Sequence, residues 1–450
     1  MTAVAPGGGW NAPHPGSSVR GEVRVPASKS LTNRYLLLAA LAEGPSVVVN
    51  PLVSRDSRLM LTALEALGAQ VERITDWGDS GEAAVRITPI PLSAPGTGAD
   101  PVSIDCGLAG TVMRFLPAVA ALTARTVHFD GDPEAKLRPM TAVLEGLRAL
   151  GVQIGDDGAP GFLPFTVHSS TGHSPAEITG GDVTIDASAT SQFVSGLLLA
   201  APRMPEGLTL RHSGAQVPSL EHVEMTLSVL DGLGVQVSSP AQYTWRVEPG
   251  PIAPFTARVE PDLSNAGPFL CAAAVTGGEV TMPGWPLGST QIGRRWTQLL
   301  ADFGCQVELS PVSESTATLS VRGPSRLVSP GVVDGTAELT PTVAALAALC
   351  AEESKFTSVG HLRGHETDRI AALVTEIRRL GGKAEETDDG FRILSPITRG
   401  AVVRSYADHR MATFGAVLGL AVEGVTVEDI GCTAKTMPDF PHRWASLVSQ

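Results

Sequence analysis

A sixfold repeat constrains the fold of this chain of 450 residues more than any other feature of its sequence. Each copy begins with an apolar run rich in alanine and leucine and continues, usually after a glycine, into a β-branched stretch. The copies begin at Leu36, Phe115, Phe193, Phe269, Val343 and Phe414. Self-similarity at a spacing of roughly 70 to 80 residues predicts a repeat architecture of six α/β units.

A second element follows each of the first five apolar runs. Its leucines recur at three- and four-residue spacing, as on one face of an amphipathic helix, and a glycine then leads into a strand. Glycine suits this place because it ends a helix in the left-handed conformation without steric cost. The five glycines are Gly68, Gly151, Gly234, Gly304 and Gly381. Each unit is therefore predicted to have one helix buried on all sides and one helix that faces solvent.

Six buried helices do not fit into one small core, so the repeat predicts two domains of three units each. We expect the chain to cross between the domains near Pro26 and again near Pro261, if its N-terminal strand pairs with the C-terminal half. The predicted domains are residues 1–27 with 262–450, and residues 28–261. Two crossings form a hinge, and we expect an active site in the cleft between the domains.

Charge and composition exclude several classes of partner. The net charge of −13 argues against a nucleic-acid or anionic-membrane partner. No apolar run approaches the length of a membrane span, and the N-terminus lacks the layout of a signal peptide, so we expect a soluble cytoplasmic protein. The five cysteines show no metal-ligand spacing, and we expect them to be reduced and buried.

Cations recur near the N-terminal ends of the predicted buried helices. Lys29 and Arg34 precede the first apolar run, Arg114 the second and Arg410 the sixth, while the third has Gln192 in the equivalent place. Helix N-termini have unsatisfied N–H groups and a positive dipole end, so cations placed there favour phosphate or carboxylate binding. Capping of a helix end would explain one such charge, but four charges at equivalent places in a repeat favour an anion site.

Seven motifs carry a resemblance to a known family. In chain order they are SKSLTNR, CGLAGTVMR, GDPEAKLRP, SATSQF, HETDR, DHRMA and CTAKTMPD. Together they resemble the 5-enolpyruvylshikimate-3-phosphate (EPSP) synthase family, the 3-phosphoshikimate 1-carboxyvinyltransferases, from Pro26 to Asp439. The resemblance implies the α/β fold of the enolpyruvyl transferases, an inside-out α/β barrel of two domains with three repeated units each.

The resemblance also implies a reaction. The enolpyruvyl group of phosphoenolpyruvate is transferred to the 5-hydroxyl of shikimate 3-phosphate through a tetrahedral intermediate, and phosphate is released. This step of the shikimate pathway leads to chorismate and the aromatic amino acids. The reaction needs a base and an acid but no metal or redox cofactor. We expect a monomer whose partners are these two small molecules.

Site residues follow from the matching motif positions. The resemblance implies that shikimate 3-phosphate contacts Lys29, Ser30, Arg34, Thr190, Ser191, Gln192, Ser219, Glu338, His361 and His365. It implies that phosphoenolpyruvate contacts Lys29, Gly110, Arg138, Gln192, Arg369, Arg410 and Lys435. The expected catalytic residues are Lys29, Glu338 as the base, with Asp334 as the alternative, and Glu366 or Lys435 for proton delivery to C3.

Two other functions compete with this prediction. The sister enzymes that act on UDP-N-acetylglucosamine share the fold and the enol donor, but they typically have a reactive cysteine in the region that matches Gly131 to Arg138, where this chain has none. A non-catalytic anion-binding relative would be expected to lose the charged residues, which are intact here. Gly110 further implies sensitivity to glyphosate, because alanine at this position in some relatives crowds the inhibitor.

Overall fold

The computed structural model describes residues 9–78, 81–92, 100–123, 125–168, 178–364 and 366–449. Two compact units make up the chain. The continuous unit comprises Ala27–Glu260, and the split unit comprises Met1–Pro26 with Pro261–Gln450.

Strands and helices alternate along both units. The strands are β1 (Trp10–Asn11), β2 (Arg20–Glu22), β3 (Ser46–Val49), β4 (Gln70–Trp77), β5 (Glu82–Thr88), β6 (Val102–Asp105), β7 (Val127–Asp130), β8 (Ile154–Asp156), β9 (Phe165–Val167), β10 (Gly181–Ile185), β11 (Leu208–His212), β12 (Val237–Ala241), β13 (Thr244–Val247), β14 (Thr256–Arg258), β15 (Glu279–Pro286), β16 (Gln306–Pro311), β17 (Thr316–Arg322), β18 (Val332–Asp334), β19 (Ser354–Thr357), β20 (Lys383–Thr387), β21 (Gly390–Ser395), β22 (Val402–Val403) and β23 (Thr426–Val427). The helices are α1 (Lys29–Leu41), α2 (Arg55–Ala66), α3 (Gly110–Ala121), α4 (Thr141–Ala149), α5 (Gln192–Ala200), α6 (Glu221–Gly232), α7 (Leu263–Thr276), α8 (Trp296–Asp302), α9 (Thr340–Ala347), α10 (Arg369–Arg379), α11 (His409–Gly419) and α12 (Phe440–Val448).

The continuous unit has three four-stranded sheets of the same design. Their strand orders are β14-β3-β5-β4, β6-β7-β9-β8 and β10-β11-β13-β12. In the second, β6 and β7 are parallel and α3 connects them, while β9 lies antiparallel to both β7 and β8. A parallel pair needs such a crossover, whereas an antiparallel pair closes with a short connection. The second and third repeats of this unit are therefore βαβ units extended by an amphipathic helix and a hairpin, and in the first repeat β14 supplies the strand parallel to β3.

The split unit repeats this design with strands from both ends of the chain. Its strand orders are β16-β17-β15-β2, β18-β19-β21-β20 and β1-β23-β22. The N-terminal strand β2 lies parallel to β15, with Arg20 opposite Glu279, and β1 lies antiparallel to β23. In the continuous unit β14 takes the matching place beside β3. The described residues thus form six sheets, which agrees with the six predicted units.

One helix of each repeat is buried, as predicted. These helices are α1, α3, α5, α7, α9 and α11, and in α1 the side chains of Leu36, Leu37 and Leu38 have no exposed surface. The buried helices begin one to seven residues before the predicted apolar runs. Several predicted site residues therefore lie in the first turns of these helices rather than in the preceding loops: Lys29 and Ser30 on α1, Gly110 on α3, Gln192 on α5 and Arg410 on α11.

The five predicted glycines end the amphipathic helices. Each lies between one of these helices and the next strand, and the φ angles of the five range from 83° to 112°. Side chains rarely adopt this left-handed region, so glycine is needed there to turn the chain. No helix in the described ranges combines the length and the apolar character that crossing a membrane requires.

Candidate active site

Lys29 begins α1 and lies beside a buried carboxylate. The Ser28 hydroxyl caps the helix by accepting a hydrogen bond from the Leu31 N–H at 3.4 Å. The Lys29 Nζ lies 3.6 Å from the Asp56 Oδ2 in the first turn of α2, and 21% of the lysine side chain is exposed. Asp56 itself is buried. The helix thus fixes the backbone of Lys29, Asp56 holds its ammonium group, and part of the side chain is still exposed.

Arg34 lies one turn further along α1 and is buried, with 1% of its surface exposed. Its guanidinium group donates to Thr226 Oγ1 at 2.8 Å, to Ser195 Oγ at 3.2 Å and to the His222 carbonyl at 2.8 Å. It also donates to the Ser30 carbonyl at 3.0 Å and stacks on the Phe115 ring. Burial lowers the pKa of Arg34 to about 9, so the group remains charged at neutral pH. These contacts place Arg34 as a link between helices, and its predicted contact with substrate stays a prediction.

Gly110 lies where three polar side chains of the continuous unit converge. The Arg114 Nη1 donates to Gln192 Oε1 at 2.8 Å, and Arg138 donates to the Leu108 carbonyl at 3.3 Å. A Cβ atom at Gly110 would lie 2.9 Å from Gln192 Oε1 and 3.1 Å from the Arg138 Nη2. No side chain caps α3, which starts at Gly110. The arrangement combines two guanidinium groups with a helix N-terminus, which is suited to a small anion.

The buried Arg114 is the more constrained of the two arginines. Burial and the neighbouring charge of Arg138 hold the pKa of Arg114 well below its usual value. Its guanidinium group also lies over the Phe193 ring at 5.4 Å. A bound anion would relieve the repulsion between these two cations.

Three predicted ligands lie just before two helices: Thr190 and Ser191 precede α5, and Ser219 precedes α6. The Thr190 hydroxyl accepts from the Gln192 N–H at 3.3 Å, and Ser191 is buried at the N-cap position without a side-chain cap bond. Ser219 has a φ of 51°, in the left-handed region. A serine held in this strained conformation at a helix entrance is typical of a functional position.

Glu338 lies just before α9 in the split unit, in contact with a cation and a hydroxyl. Its Oε1 accepts from the Ser264 hydroxyl at 2.6 Å and from the Arg410 Nη2 at 3.3 Å. About a quarter of its side chain, 24%, is exposed. The preceding Ala337 has a φ of 41°, so the backbone is strained where it presents this carboxylate.

Asp334, the alternative base, lies in a different environment. Its Oδ1 accepts from the hydroxyls of Thr357 at 2.7 Å and Ser358 at 2.8 Å. These hydrogen bonds lower the pKa of Asp334. Because both bonds come from the neighbouring strand end, Asp334 fits a structural role at the edge of β18 better than Glu338 does.

Arg369 and Asp408 form a buried ion pair at the starts of α10 and α11. The Arg369 Nε lies 2.7 Å from Asp408 Oδ2 and its Nη2 lies 3.2 Å from Oδ1. Burial alone would lower the pKa of Arg369, but Asp408 and Glu366 raise it, so Arg369 stays charged. The Asp408 Oδ1 also accepts from the Arg410 N–H at 2.8 Å, which caps α11. One carboxylate thus holds the guanidinium group of Arg369 and caps the helix that carries Arg410, two of the three arginines predicted to bind phosphoenolpyruvate.

Glu366 joins Lys435 and His409. Its Oε1 accepts a short hydrogen bond from the Lys435 ammonium, and its Oε2 lies 3.2 Å from the His409 Nδ1. Burial opposes ionisation of Glu366, but His409 and Lys435 hold its pKa well below the usual value. Burial also lowers the pKa of His409. Glu366, Asp408 and His409 lie close enough to surround a metal ion, yet Lys435 and Arg369 already balance the two carboxylates.

The structure describes only one of the two histidines that are predicted to bind shikimate 3-phosphate. His361 lies in the short 3₁₀ helix Gly360–Gly364, where burial and the charge of Arg369 lower its pKa. This favours a neutral imidazole at pH 7. His365 lies outside the described residues.

The structure adds two residues that the sequence did not single out. Ser264 donates to Glu338, and Asp408 accepts from the Arg369 side chain and from the Arg410 backbone. Ser264 lies in the first turn of the fourth buried helix, so the repeat itself contained the signal for it. Asp408 adjoins the predicted Arg410, but its partner Arg369 is 39 residues away, and proximity in sequence gave no indication of the pair.

Comparison with known proteins identifies the family of the chain. A sequence model of the family EPSP synthase (3-phosphoshikimate 1-carboxyvinyltransferase) matches residues 13–444. The chain is 54% identical over 442 residues to a 3-phosphoshikimate 1-carboxyvinyltransferase of Kocuria rhizophila, covering 98% of this chain and 96% of that protein.

Solved structures show the same fold at low sequence identity. An EPSP synthase from Acinetobacter baumannii has a TM-score of 0.77 at 23% identity, covering 98% of this chain and 97% of that one. The enolpyruvyl transferase NikO from Streptomyces tendae has a TM-score of 0.70 at 18% identity, covering 98% of both chains. The prediction from the seven motifs is confirmed: this chain belongs to the EPSP synthase family.

Proposed function

We propose that this chain transfers the enolpyruvyl group of phosphoenolpyruvate to the 5-hydroxyl of shikimate 3-phosphate and releases phosphate. The observation that carries the proposal is the 54% identity, over 98% of the chain, with a relative named for this activity. The polar first turns of the buried helices support it, because they present cations suited to the two phosphates and two carboxylates of these substrates.

The first half of the reaction is an addition. The 5-hydroxyl oxygen forms a bond to C2 of phosphoenolpyruvate, its proton leaves to a base, and C3 gains a proton to become a methyl group. We assign the base to Glu338. Its contact with Arg410, a predicted phosphoenolpyruvate ligand, supports this choice over Asp334, whose two hydroxyl partners lie at the neighbouring strand end.

The proton for C3 comes from a second group. Glu366 has a pKa held well below its usual value by its neighbours, although burial opposes this, so it is ionised at neutral pH and has no proton to give. Lys435 is the hydrogen-bond donor to Glu366. We therefore assign proton delivery to Lys435 and the orientation of its ammonium group to Glu366. In the second half, the C2–O bond to phosphate breaks, Lys435 takes a proton back from C3, and the enol ether forms. The released phosphate carries away the proton that Glu338 accepted in the first half.

The remaining polar residues bind. Arg138, Arg369 and Arg410 are assigned to phosphoenolpyruvate because each guanidinium group can donate two parallel hydrogen bonds to an anion. Thr190, Ser191, Gln192 and Ser219 are assigned to shikimate 3-phosphate together with Lys29 and Ser30. The proposal keeps the predicted contacts of Arg34 and His361, and it needs no metal.

A comparison of two acceptors tests the proposal. Phosphate release is measured with phosphoenolpyruvate and either shikimate 3-phosphate or UDP-N-acetylglucosamine. We expect turnover with the first acceptor alone. Turnover with UDP-N-acetylglucosamine alone would assign the chain to the sister activity, and no phosphate release with either acceptor would contradict the proposed function.

We also propose that the protein is a monomer and lies in the cytoplasm. Light scattering would test the first statement and cell fractionation the second.

A further inference from the structure

A strained turn precedes α11 in the split unit. The Asp408 N–H donates to the Ser405 carbonyl at 2.8 Å, which closes a four-residue turn. Its two central residues, Tyr406 and Ala407, have φ angles of 54° and 53°. Two consecutive left-handed residues are the requirement of a type I′ turn, where glycine, asparagine and aspartate are strongly preferred. Tyrosine and alanine hold this conformation only when the surroundings impose it.

The buried carboxylate of Glu376 supplies that constraint. Glu376 lies on α10 with no exposed side-chain surface. Its Oε1 accepts from the Tyr406 hydroxyl at 2.8 Å, and its Oε2 accepts from the Arg404 N–H at 3.2 Å and from the Arg379 Nε at 2.9 Å. Burial and the neighbouring Glu376 raise the pKa of Tyr406 to about 12, so the phenol stays a hydrogen-bond donor.

The turn determines where Asp408 lies. Asp408 follows the two left-handed residues directly, and its carboxylate bonds to Arg369 on α10 and caps α11 at Arg410. The helix α10 therefore holds this segment at two places seven residues apart, at Arg369 and at Glu376. A relaxed turn would move Asp408, so the Arg369 guanidinium group would lose its carboxylate and the first turn of α11, which carries Arg410, would lose its cap.

We propose that Tyr406 and Glu376 are positioning residues for phosphoenolpyruvate binding. Their hydrogen bond keeps the Ser405–Asp408 turn in its left-handed shape. The turn then places Asp408, which holds the Arg369 guanidinium group and caps the helix that carries Arg410. This inference rests on the proposed function, since it assigns the two arginines to phosphoenolpyruvate. It explains the geometry of the two arginines by a hydrogen bond that neither arginine makes.

Steady-state kinetics of Tyr406→Phe tests the proposal. The variant keeps the ring and loses the hydroxyl that donates to a carboxylate, so we expect the KM for phosphoenolpyruvate to rise about tenfold. The KM for shikimate 3-phosphate and kcat should stay within about twofold. The matched control is Tyr243→Phe, since Tyr243 is also left-handed, with a φ of 54°, but lies in the turn between β12 and β13. This control should leave all three constants unchanged.

A rescue variant separates positioning from a merely structural role. Glycine adopts the left-handed conformation at no steric cost, so Ala407→Gly should let the turn form without the hydrogen bond between Tyr406 and Glu376. The double variant Tyr406→Phe with Ala407→Gly should recover most of the lost affinity for phosphoenolpyruvate.

Three results would overturn the inference. They are an unchanged KM for phosphoenolpyruvate in folded Tyr406→Phe, the same rise in Tyr243→Phe, and no recovery in the double variant. Circular dichroism verifies folding of each variant. The wild-type protein distinguishes the two proposals: an inactive wild type contradicts the function, whereas an active wild type with an unaffected Tyr406→Phe contradicts only the positioning role.

Discussion

At the scale of single residues, the candidate site is organised by how each charge is paired. Glu338 shares its oxygen between a hydroxyl and an arginine, and Glu366 contacts a lysine and a histidine. Carboxylates held this way keep a fixed direction, which general base chemistry requires. The same pairs of residues at the surface would hold each other only weakly, because water and salt screen exposed ion pairs.

Removal of the Glu338 charge should affect turnover more than binding. We expect Glu338→Gln to lower kcat by about 100-fold, because an amide cannot accept the hydroxyl proton, with a smaller change in KM. The control is Asp334→Asn, whose side chain still accepts from Thr357 and Ser358 and should retain most activity. Phosphate release at saturating substrates measures both. If Asp334→Asn is the inactive variant and Glu338→Gln is not, the base is Asp334.

A methyl group at Gly110 should weaken phosphoenolpyruvate binding. The new Cβ would lie 2.9 Å from Gln192 Oε1, so the polar groups around it must shift. We expect Gly110→Ala to raise the KM for phosphoenolpyruvate about tenfold through displaced hydrogen bonds. Gly250→Ala, where a Cβ meets nothing within 4 Å, is the control. Equal KM values for the two variants would show that Gly110 is not next to the bound anion.

At the scale of elements, the repeat made much of the fold predictable. Apolar runs and glycines recur because every unit needs one buried helix and one left-handed turn, and both leave a direct signal in residue type. The hairpins that complete the sheets, such as β8 with β9, were not predicted, since short strands with mixed burial lack a clear period. Arg34 shows the same limit at the site: Ser195 and Thr226, which bury it, are 161 and 192 residues away.

The helix-ending glycines should contribute to stability through their backbone conformation. Gly234 has a φ of 83° with open space around it, so Gly234→Ala tests conformation without a clash. We expect the free energy of unfolding to fall by about 1 kcal/mol. Gly232→Ala, two residues earlier in α6 and also in open space, should leave stability unchanged or raise it slightly. Urea unfolding measures both, and equal midpoints would contradict the role of the left-handed turn.

At the scale of the whole molecule, acid should destabilise the fold in two stages. Burial lowers the pKa of His361 and His409 below 6.5, so the unfolded chain binds protons there that the folded chain resists. Stability is therefore complete above pH 6.5 and falls as the pH decreases from that value. A second loss begins near pH 4.5, because the pKa of Glu366 is depressed in the folded state despite its burial.

Unfolding by urea between pH 7 and 4 measures these losses. Each group contributes a slope of at most about 1.4 kcal/mol per pH unit. His361→Gln should flatten the first stage, and Glu366→Gln should flatten the second. Unchanged slopes in both variants would mean that other groups cause the acid sensitivity.

The pairing of β2 with β15 has a consequence for how the protein is made. The strands β1 and β2 are both synthesised before the other described strands, yet β2 must wait for residue 279 and β1 for residue 426 before its partner is synthesised. The continuous unit, by contrast, holds all the strands of its three sheets within Ala27–Glu260. During translation the continuous unit can therefore complete its core while β1 and β2, on its N-terminal side, remain unpaired and exposed. That interval is when the chain is most open to aggregation and to chaperones.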